Sequence, residues 1–430
     1  MTTKTPVAVH IFAYQVGFGD CFLVRFRYAV GPSRHILIDF GSMGMRKGTA
    51  AADWMLKIAN DIADKCEGKL DAVIATHRHA DHISGFATNK TGTASGNIIA
   101  SLTPSVVVQP WTEQLDLAED AVAPNVAHSA KARSAALALR SMNAVAGSAL
   151  ALVSAKGHGL APALAARLGF LGEDNISNLS AVKNLAAMGP NVYTFHGASD
   201  PLSKVLPGIK THVLGPPTVE QTDSIKKMRS RDPDEYWHFQ RMRMATEVAT
   251  SQDTDEPFPA ARSIRGTRLP MSTRWVAKRV RDVRGSQLLQ IVTSLDKAMN
   301  NTSLILLFEV GKKKLLFPGD AQIENWRYAL SFPKIVKQLT EVDVLKVGHH
   351  GSLNATPKSL WGAFAKKGTT ATPNRLKTVL STMPGKHGDE ARKTEVPRTT
   401  LVNDLTEHSE LHNTHDLGEG ELYKEVVLEI

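Results

Sequence analysis

Apolar positions along this chain follow two spacings, and the alternation between them organises it. From Val7 to Thr76, short runs rich in β-branched and aromatic residues are separated by turn signals. Val7–Phe12, Cys21–Arg27 and His35–Ile38 predict strands, punctuated by Gly17-Phe18-Gly19-Asp20 and Gly31-Pro32-Ser33. Thr49–Glu67 repeats Trp54, Ile58, Ile62 and Cys66 every fourth residue, the spacing of one helix face. Asp71–Thr76 is a short apolar strand that stops at a histidine.

The middle of the chain reads differently. Ala127–Ala155 is alanine-rich and predicts helix, as does Leu160–Leu168, and no internal repeat is evident. Ile209–Leu214 followed by Gly215-Pro216-Pro217 returns to a strand and turn. Strand character resumes at Ser303–Val310 and at Lys314–Phe317, the latter ended by Pro318-Gly319-Asp320 and followed by a helix-like Ala321–Leu330. Val342–Val347 runs into Gly348-His349-His350-Gly351, Thr378–Thr382 predicts a last core strand, and Thr399–Leu405 a helix. Strands and helices alternating at both ends argue for an α/β layered domain with an inserted middle. The expected organisation is an N-terminal half at 1–105, a helical insertion at 106–205, a return strand at 206–217, a basic insertion at 218–290 and a C-terminal half at 291–430.

Composition adds charge to this picture. The 430 residues are 42% hydrophobic and 22% charged, ordinary for a globular protein, but the formal net charge is +9. A basic balance favours polyanionic partners. Arg262, Arg265, Arg268, Arg274, Lys278, Arg279, Arg281 and Arg284 cluster around Trp275. Such a cluster suits a nucleic-acid backbone, DNA or RNA, and suits equally a solvated insertion or an arm packed on acidic surface. Two widely spaced cysteines, Cys21 and Cys66, provide neither a disulfide framework nor a thiolate metal cage, and Cys21 reads as a small core residue. No apolar run reaches the roughly 20 residues of a membrane span, and no signal-peptide core precedes Val7, so the expected location is cytoplasmic.

The chemistry concentrates at predicted strand ends. His77-x-His79-x-Asp81-His82 sets four possible ligands into six residues directly after a strand. Neutral imidazoles with an adjacent carboxylate suit borderline divalent metals. Asp320 and the pair His349-His350 also follow strands, so all can converge on one sheet edge. A carboxylate there can bridge two cations about 3.5–4 Å apart, which then share a hydroxide nucleophile. Asp320 is also placed to cap the following helix, and the histidine pair can be one ligand with one hydrogen-bonding partner. Asp39, and similarly Asp20, is either a turn acceptor or a support that fixes a histidine's tautomer.

H-x-H-x-D-H is the signature of the metallo-β-lactamase superfamily, and the surrounding segments resemble its ComEC-type hydrolase domains of DNA-uptake proteins. These segments are Val16–Cys21, Ile36–Gly41, Asn300–Leu304, Phe317–Ala321 and Leu345–Ser352. The phosphorylcholine esterases of cell-wall proteins are similar at several of the same places. The resemblance covers about residues 1–90 and 300–405, plus the Val213–Pro217 turn. It implies a four-layer αββα sandwich with a large, partly helical insertion and two divalent ions, zinc or manganese, at one edge. By that resemblance His77 and His79 bind the first ion, Asp81 and His82 the second, and Asp320 bridges. His349 completes the second ion's ligands, and His350 sits near the leaving oxygen; Asp81 and His350 carry the catalytic assignment.

Two departures stand out. The middle histidine that many members use is replaced by the Asn300–Ser303 segment. His196 and His212 can substitute, although a lone histidine there is more often structural. The G-H-P of ComEC-type domains is also absent near Ser381, leaving His387 as the candidate for the mouth of the site. Asn301, Ser303, Arg274 and Lys278 are the other expected substrate contacts, with Asp39 and Asp20 behind the ligands. The expected reaction is hydrolysis of a phosphodiester, a nuclease first. A small-molecule esterase, lactonase or β-lactamase is the competing enzyme, and a non-catalytic module with a structural metal is the third reading.

Overall fold

The first apolar runs form strands covered on both faces. In the computed structural model these are β1 (Ala8–Tyr14), β2 (Cys21–Arg27) and β3 (Arg34–Phe40), followed by the short parallel strand β4 (Ala72–Ile74). The structure describes residues 5–113, 179–218, 220–222, 299–352, 356–388, 390 and 395–430, with scattered positions within 153–168 and 283–289. Arg274 and Lys278, and Ala127–Ala155 apart from Val153, lie outside the described residues. Within the predicted helix Leu160–Leu168, the described residues Pro162, Leu164, Ala165 and Leu168 are helical.

Two sheets result. The first has the order β13-β1-β2-β3-β4-β5-β6, with β5 (Val106–Pro110), β6 (Asn191–Thr194) and β13 (Tyr423–Glu429). The second runs β12-β11-β10-β9-β8-β7: β7 (Ile209–Gly215), β8 (Ile305–Val310), β9 (Lys313–Phe317), β10 (Val344–Lys346), β11 (Lys377–Leu380) and β12 (Glu410–Asn413). Each sheet has an antiparallel stretch, β13 to β3 and β7 to β9, that continues into parallel strands. The stretch 106–205, expected as a helical insertion, thus opens and closes with strands of the first sheet. Val106-Val107-Val108 lies between Pro104 and Pro110, too short an apolar run to stand out as a strand. The last strand also returns to the first sheet, where Val9 faces Leu428.

The layers follow from which faces are apolar. Between the sheets, Ile11, Phe22, Ile38 and Ile74 meet Val213, Leu306, Phe317, Val344 and Val379. Behind the first sheet, helices Ala51–Lys65, Ser95–Ser101 and Leu179–Ala187 cover Leu37, Phe40 and Val73 through Ile58, Ile62, Ile99 and Leu185. Burying each such side chain stabilises the fold by about 1.5–3 kcal/mol. Behind the second sheet, Ile323–Leu330, Pro333–Thr340 and Lys358–Ala363 present Trp326, Leu339 and Leu360. Leu405 of helix Thr399–His408 closes over Val347 and Leu380. The result is a mixed α/β, four-layer αββα arrangement consistent with the metallo-β-lactamase fold. Among the described residues, no helix is long and apolar enough to cross a membrane.

Candidate metal centre

The carboxyl ends of parallel strands are where α/β sheets gather their ligands. Here the ends of β4, β9 and β10 lead directly to His77, Asp320 and His349-His350. After β4 the chain turns into the one-turn helix Ala80–Ile83, and the amides of His82 and Ile83 both donate to the His79 carbonyl. The Asp20 amide donates to the Asp81 carbonyl at 2.9 Å, and that of Gly41 to the Asp20 carbonyl at 3.0 Å. Both glycine-containing segments therefore cradle the ligand loop from below. A Cβ at Gly19 would lie 2.2 Å from the Gly41 carbonyl oxygen, so only glycine allows the approach.

Asp81, His82, Asp320 and His350 converge, with donor atoms all within 4.8 Å of one another, and all four are buried. His82 Nδ1 donates to Asp39 Oδ2 at 2.8 Å. Asp39 is itself fixed by the Thr76 amide and the Thr76 hydroxyl, each at 2.7 Å. That tautomer leaves the lone pair of His82 Nε2 facing Asp320 Oδ2 at 3.0 Å. The same logic holds for His350. Its Nδ1 donates to the Ser381 carbonyl at 3.1 Å, and its Nε2 meets Asp81 Oδ2 at 2.8 Å. In each pair two electron-rich atoms face one another, so the arrangement requires positive charge between them, as a proton or a metal ion.

The electrostatics agree. Burial alone would push the His82 and His350 pKa values down. The carboxylates of Asp320, Asp81 and Asp39 outweigh it for His82, and those of Asp20, Asp320 and Asp81 for His350, so both are raised. Burial likewise opposes ionisation of Asp81 and Asp320, yet His82 and its neighbours hold both below the usual carboxylate range. His77 is different: burial, then the charges of His82 and His79, keep it neutral. Its Nε2 lies 3.0 Å from His79 Nδ1.

These residues fit divalent ions. His79 Nε2, Asp81 Oδ1, His82 Nε2 and Asp320 Oδ2 are buried and make no hydrogen bond; the 3.0 Å approach of the last two lies outside hydrogen-bond geometry. Buried polar atoms left in this way are rare unless an ion or water completes them. Separations near 3 Å are what donor atoms sharing one ion at roughly 2 Å require. A nitrogen and carboxylate set suits zinc or manganese.

The histidine pair divides in a way that the sequence did not indicate. The expected ligand was His349, with His350 toward substrate. His350 is fully buried in the four-residue group, whereas the His349 side chain is 25% exposed and its Nε2 lies 3.9 Å from Asp320 Oδ2. His349 Nδ1 pairs with Ser352 Oγ at 2.9 Å, and its amide donates to Asp320 Oδ1 at 3.0 Å. Both histidines have left-handed backbones, φ 45° and 51°, a strained arrangement of the kind found at functional sites.

Other expected residues fall around the cluster. Asp20 Oδ2 lies 3.7 Å from His82 Nδ1 and its Oδ1 3.6 Å from His350 Nδ1, so Asp20 stands behind both rings. Asn301 and Ser303 are buried where the Leu304 amide donates to the Thr76 carbonyl at 2.9 Å. Asn301 Nδ2 donates to Glu324, and Ser303 Oγ is unbonded. His387 is exposed, 6.4 Å from the ring of Phe18, which in turn lies 4.4 Å from the ring of His350. Among the described residues His196 joins no His/Asp group; its Nδ1 donates to the Leu214 carbonyl and its ring stacks on Phe332. His212 faces Glu309 at 3.3 Å.

Sequence reasoning missed Lys346 and Thr76. The signal for Lys346 was present: a lysine inside the otherwise apolar run Val342–Val347 that leads to the histidines.

Residues 14–88 match the family model described as Metallo-beta-lactamase superfamily, a span that runs from the end of β1 past the H-x-H-x-D-H segment. No curated protein matches the chain. The match and the buried His/Asp cluster are compatible with a metal-dependent hydrolase.

Proposed function

We propose that this chain is a binuclear metal-dependent phosphodiesterase, with nucleic acid as its leading substrate. The observation that carries the reading is the unbonded Oδ2 of Asp320, buried between His82, His349 and His350. In this reading His77 and His79 would hold one ion and Asp81, His82 and His350 the other, with Asp320 completing the set. The two C-terminal histidines thus exchange the roles expected from the sequence, because His350 is the one whose distal nitrogen is tied to a backbone carbonyl, as ligating histidines usually are. Bound divalent ions supply Lewis acidity toward a phosphoryl oxygen and lower the pKa of the attacking water.

The protein's own groups orient and shuttle protons. Asp39 keeps His82 in the tautomer that frees Nε2. His349, partly exposed and braced by Ser352, hands a proton to the leaving oxygen. The formal charge of +9 and the arginine-rich segment 262–284 support a polyanionic substrate, as does the resemblance of Leu345–Ser352 to ComEC-type domains.

The test loads purified protein with manganese or zinc and counts ions per chain. Single- and double-stranded DNA, RNA, bis-p-nitrophenyl phosphate and a p-nitrophenyl ester are then offered. Metal-dependent phosphodiester cleavage, lost in Asp81→Ala/His82→Ala, is expected. Turnover of the ester alone would replace the reading with an esterase, and full metal content without any turnover would make the chain a binding module.

A further inference from the structure

We infer that Lys346 is the positioning residue of this centre, a fixed internal cation that sets three of its four converging side chains from behind. The inference rests on the metal-dependent reading above. Lys346 ends strand β10 and is buried. Its ammonium has three hydrogens to place and is shielded from bulk solvent by burial. Three oxygens surround it: Asp20 Oδ2 in an ion pair, and as hydrogen-bond acceptors the Gly319 carbonyl at 3.2 Å and Asp320 Oδ1 at 3.5 Å. These belong to two separate segments, the loop before β2 and the turn after β9, which Lys346 joins to β10.

Two consequences follow from the contacts. With Oδ1 of Asp320 shared between Lys346 Nζ and the His349 amide, only Oδ2 is left to face His82 and His350. Lys346 thereby helps decide which oxygen the carboxylate offers. Through Asp20 the ammonium also reaches the two histidines, since the carboxylate it holds lies 3.7 Å from His82 Nδ1 and 3.6 Å from His350 Nδ1. Asp20 takes the formal proton of neither ring, because His82 gives its Nδ1 proton to Asp39 and His350 gives its own to Ser381. Its part is to be a negative charge held still behind both, and Lys346 is what holds it. Lysine suits this better than arginine, because a compact ammonium fits three acceptors converging on a point, whereas a guanidinium requires a planar fork.

Removing Lys346 alone strands a buried carboxylate, so the informative variant is Asp20→Asn/Lys346→Met, which removes both charges together. The full-length chain, stripped of metal, is titrated with manganese while the EPR signal of free ion is followed. Circular dichroism and the melting temperature of the stripped protein are measured alongside. The expected result is wild-type secondary structure and melting with about 10–100-fold weaker uptake of at least one manganese ion, the size typical of losing an outer partner. Asp20→Asn alone leaves Lys346 with Asp320 as its remaining counter-charge and is expected to weaken uptake in the same direction. Unchanged manganese affinity in a folded double variant, or in Asp20→Asn should the double variant fail to fold, overturns the role of Lys346 while leaving the hydrolase reading intact. A wild-type chain that takes up no manganese or zinc overturns that reading and this inference with it.

Discussion

Gly41 lies backbone to backbone against His82: a carbon added at Gly41 would come within 2.4 Å of the His82 nitrogen and of the Asp81 carbonyl carbon. No side chain can relax such a contact, since both partners are main chain. Gly41→Ala therefore has to push the ligand loop away from β3. It is expected to destabilise the fold by about 1–3 kcal/mol and to lower metal uptake together with it. Gly362→Ala is the matched control. It sits in helix Lys358–Ala363 with nothing within 4 Å of the added carbon, and should stabilise by about 0.5–1 kcal/mol with metal uptake unchanged. Urea denaturation and metal counting on both variants check the pair.

Asp39 accepts from three donors, the Thr76 amide, the Thr76 hydroxyl and His82 Nδ1. Asp39→Asn offers an NH₂ group to one of them and so turns one attraction into a clash of donors. The expected outcome is a metal affinity lower by about 10–100-fold, since His82 loses the partner that fixes its tautomer. Thr76→Val removes a single donor and should cost less. Calorimetric titration of zinc into the two stripped variants ranks them; equal affinity in Asp39→Asn and wild type would show that the contact does not orient His82.

How much of this was legible in the chain depends on what a spacing can carry. The strands with long apolar runs, such as Cys21–Arg27 and Lys314–Phe317, were read within a few residues, and so was the buried face Ile58, Ile62, Cys66. Strands β5, β6, β12 and β13 were not. Val106–Pro110 is bounded by prolines, Glu410–Asn413 has one apolar residue, and in Tyr423–Glu429 the exposed Val427 between buried Val426 and Leu428 blurs the alternation. The convergence of Asp81 and His82 with the distant Asp320 was legible because these residue types have few other uses at strand ends. Which of His349 and His350 turns inward was not, because it depends on two consecutive left-handed residues and on where the Ser381 carbonyl lies.

Both thiols are predicted to be inert in the native state. Burial, and then the charge of Asp71, push the Cys66 thiol up to about 12. Burial, followed by Asp39 and Asp20, raises Cys21 well above its ordinary value. A group that stays protonated and out of water is neither nucleophile nor ligand. Ellman's reagent should detect no thiol at neutral pH in the folded protein and both in denaturant. Rapid reaction of one thiol in native buffer would contradict the packing of β2 or of the Ala51–Lys65 helix end.

His35 gives the fold an acid limb away from the metal ligands. Burial, and then the Arg25 charge, lower its pKa from 6.5 to about 4, with Asp71 opposing, and its Nε2 has no partner. Between these two values the unfolded chain binds a proton that the fold refuses, so stability rises with pH through that window. Read downward, stability is complete above about pH 6.5 and is lost progressively toward pH 4, by about 3 kcal/mol in all. His35→Leu should flatten this limb while leaving stability at pH 8 within about 1.5 kcal/mol of wild type, as a near-isosteric apolar replacement does. Urea denaturation at steps between pH 4 and pH 8 is the check, and an unchanged slope in His35→Leu would assign the limb to other groups.

The two C-terminal histidines are predicted to fail differently. His350 is buried with Nε2 on Asp81 and Nδ1 on the Ser381 carbonyl, whereas His349 is partly exposed and its ring Nδ1 pairs with Ser352. His350→Ala takes a nitrogen from the converging group and leaves Asp81 facing an empty wall, so metal content should fall and turnover with it. His349→Ala keeps the left-handed backbone and its amide contact with Asp320, so the ions should remain while turnover drops by about 10²–10⁴-fold, the scale of a lost proton donor. A leaving group of low basicity, such as p-nitrophenolate, needs no proton and should recover most of that loss in His349→Ala but none of it in His350→Ala. Measuring ion content and turnover of bis-p-nitrophenyl phosphate beside a nucleic-acid substrate separates the two, and the opposite pattern would return the ligand role to His349.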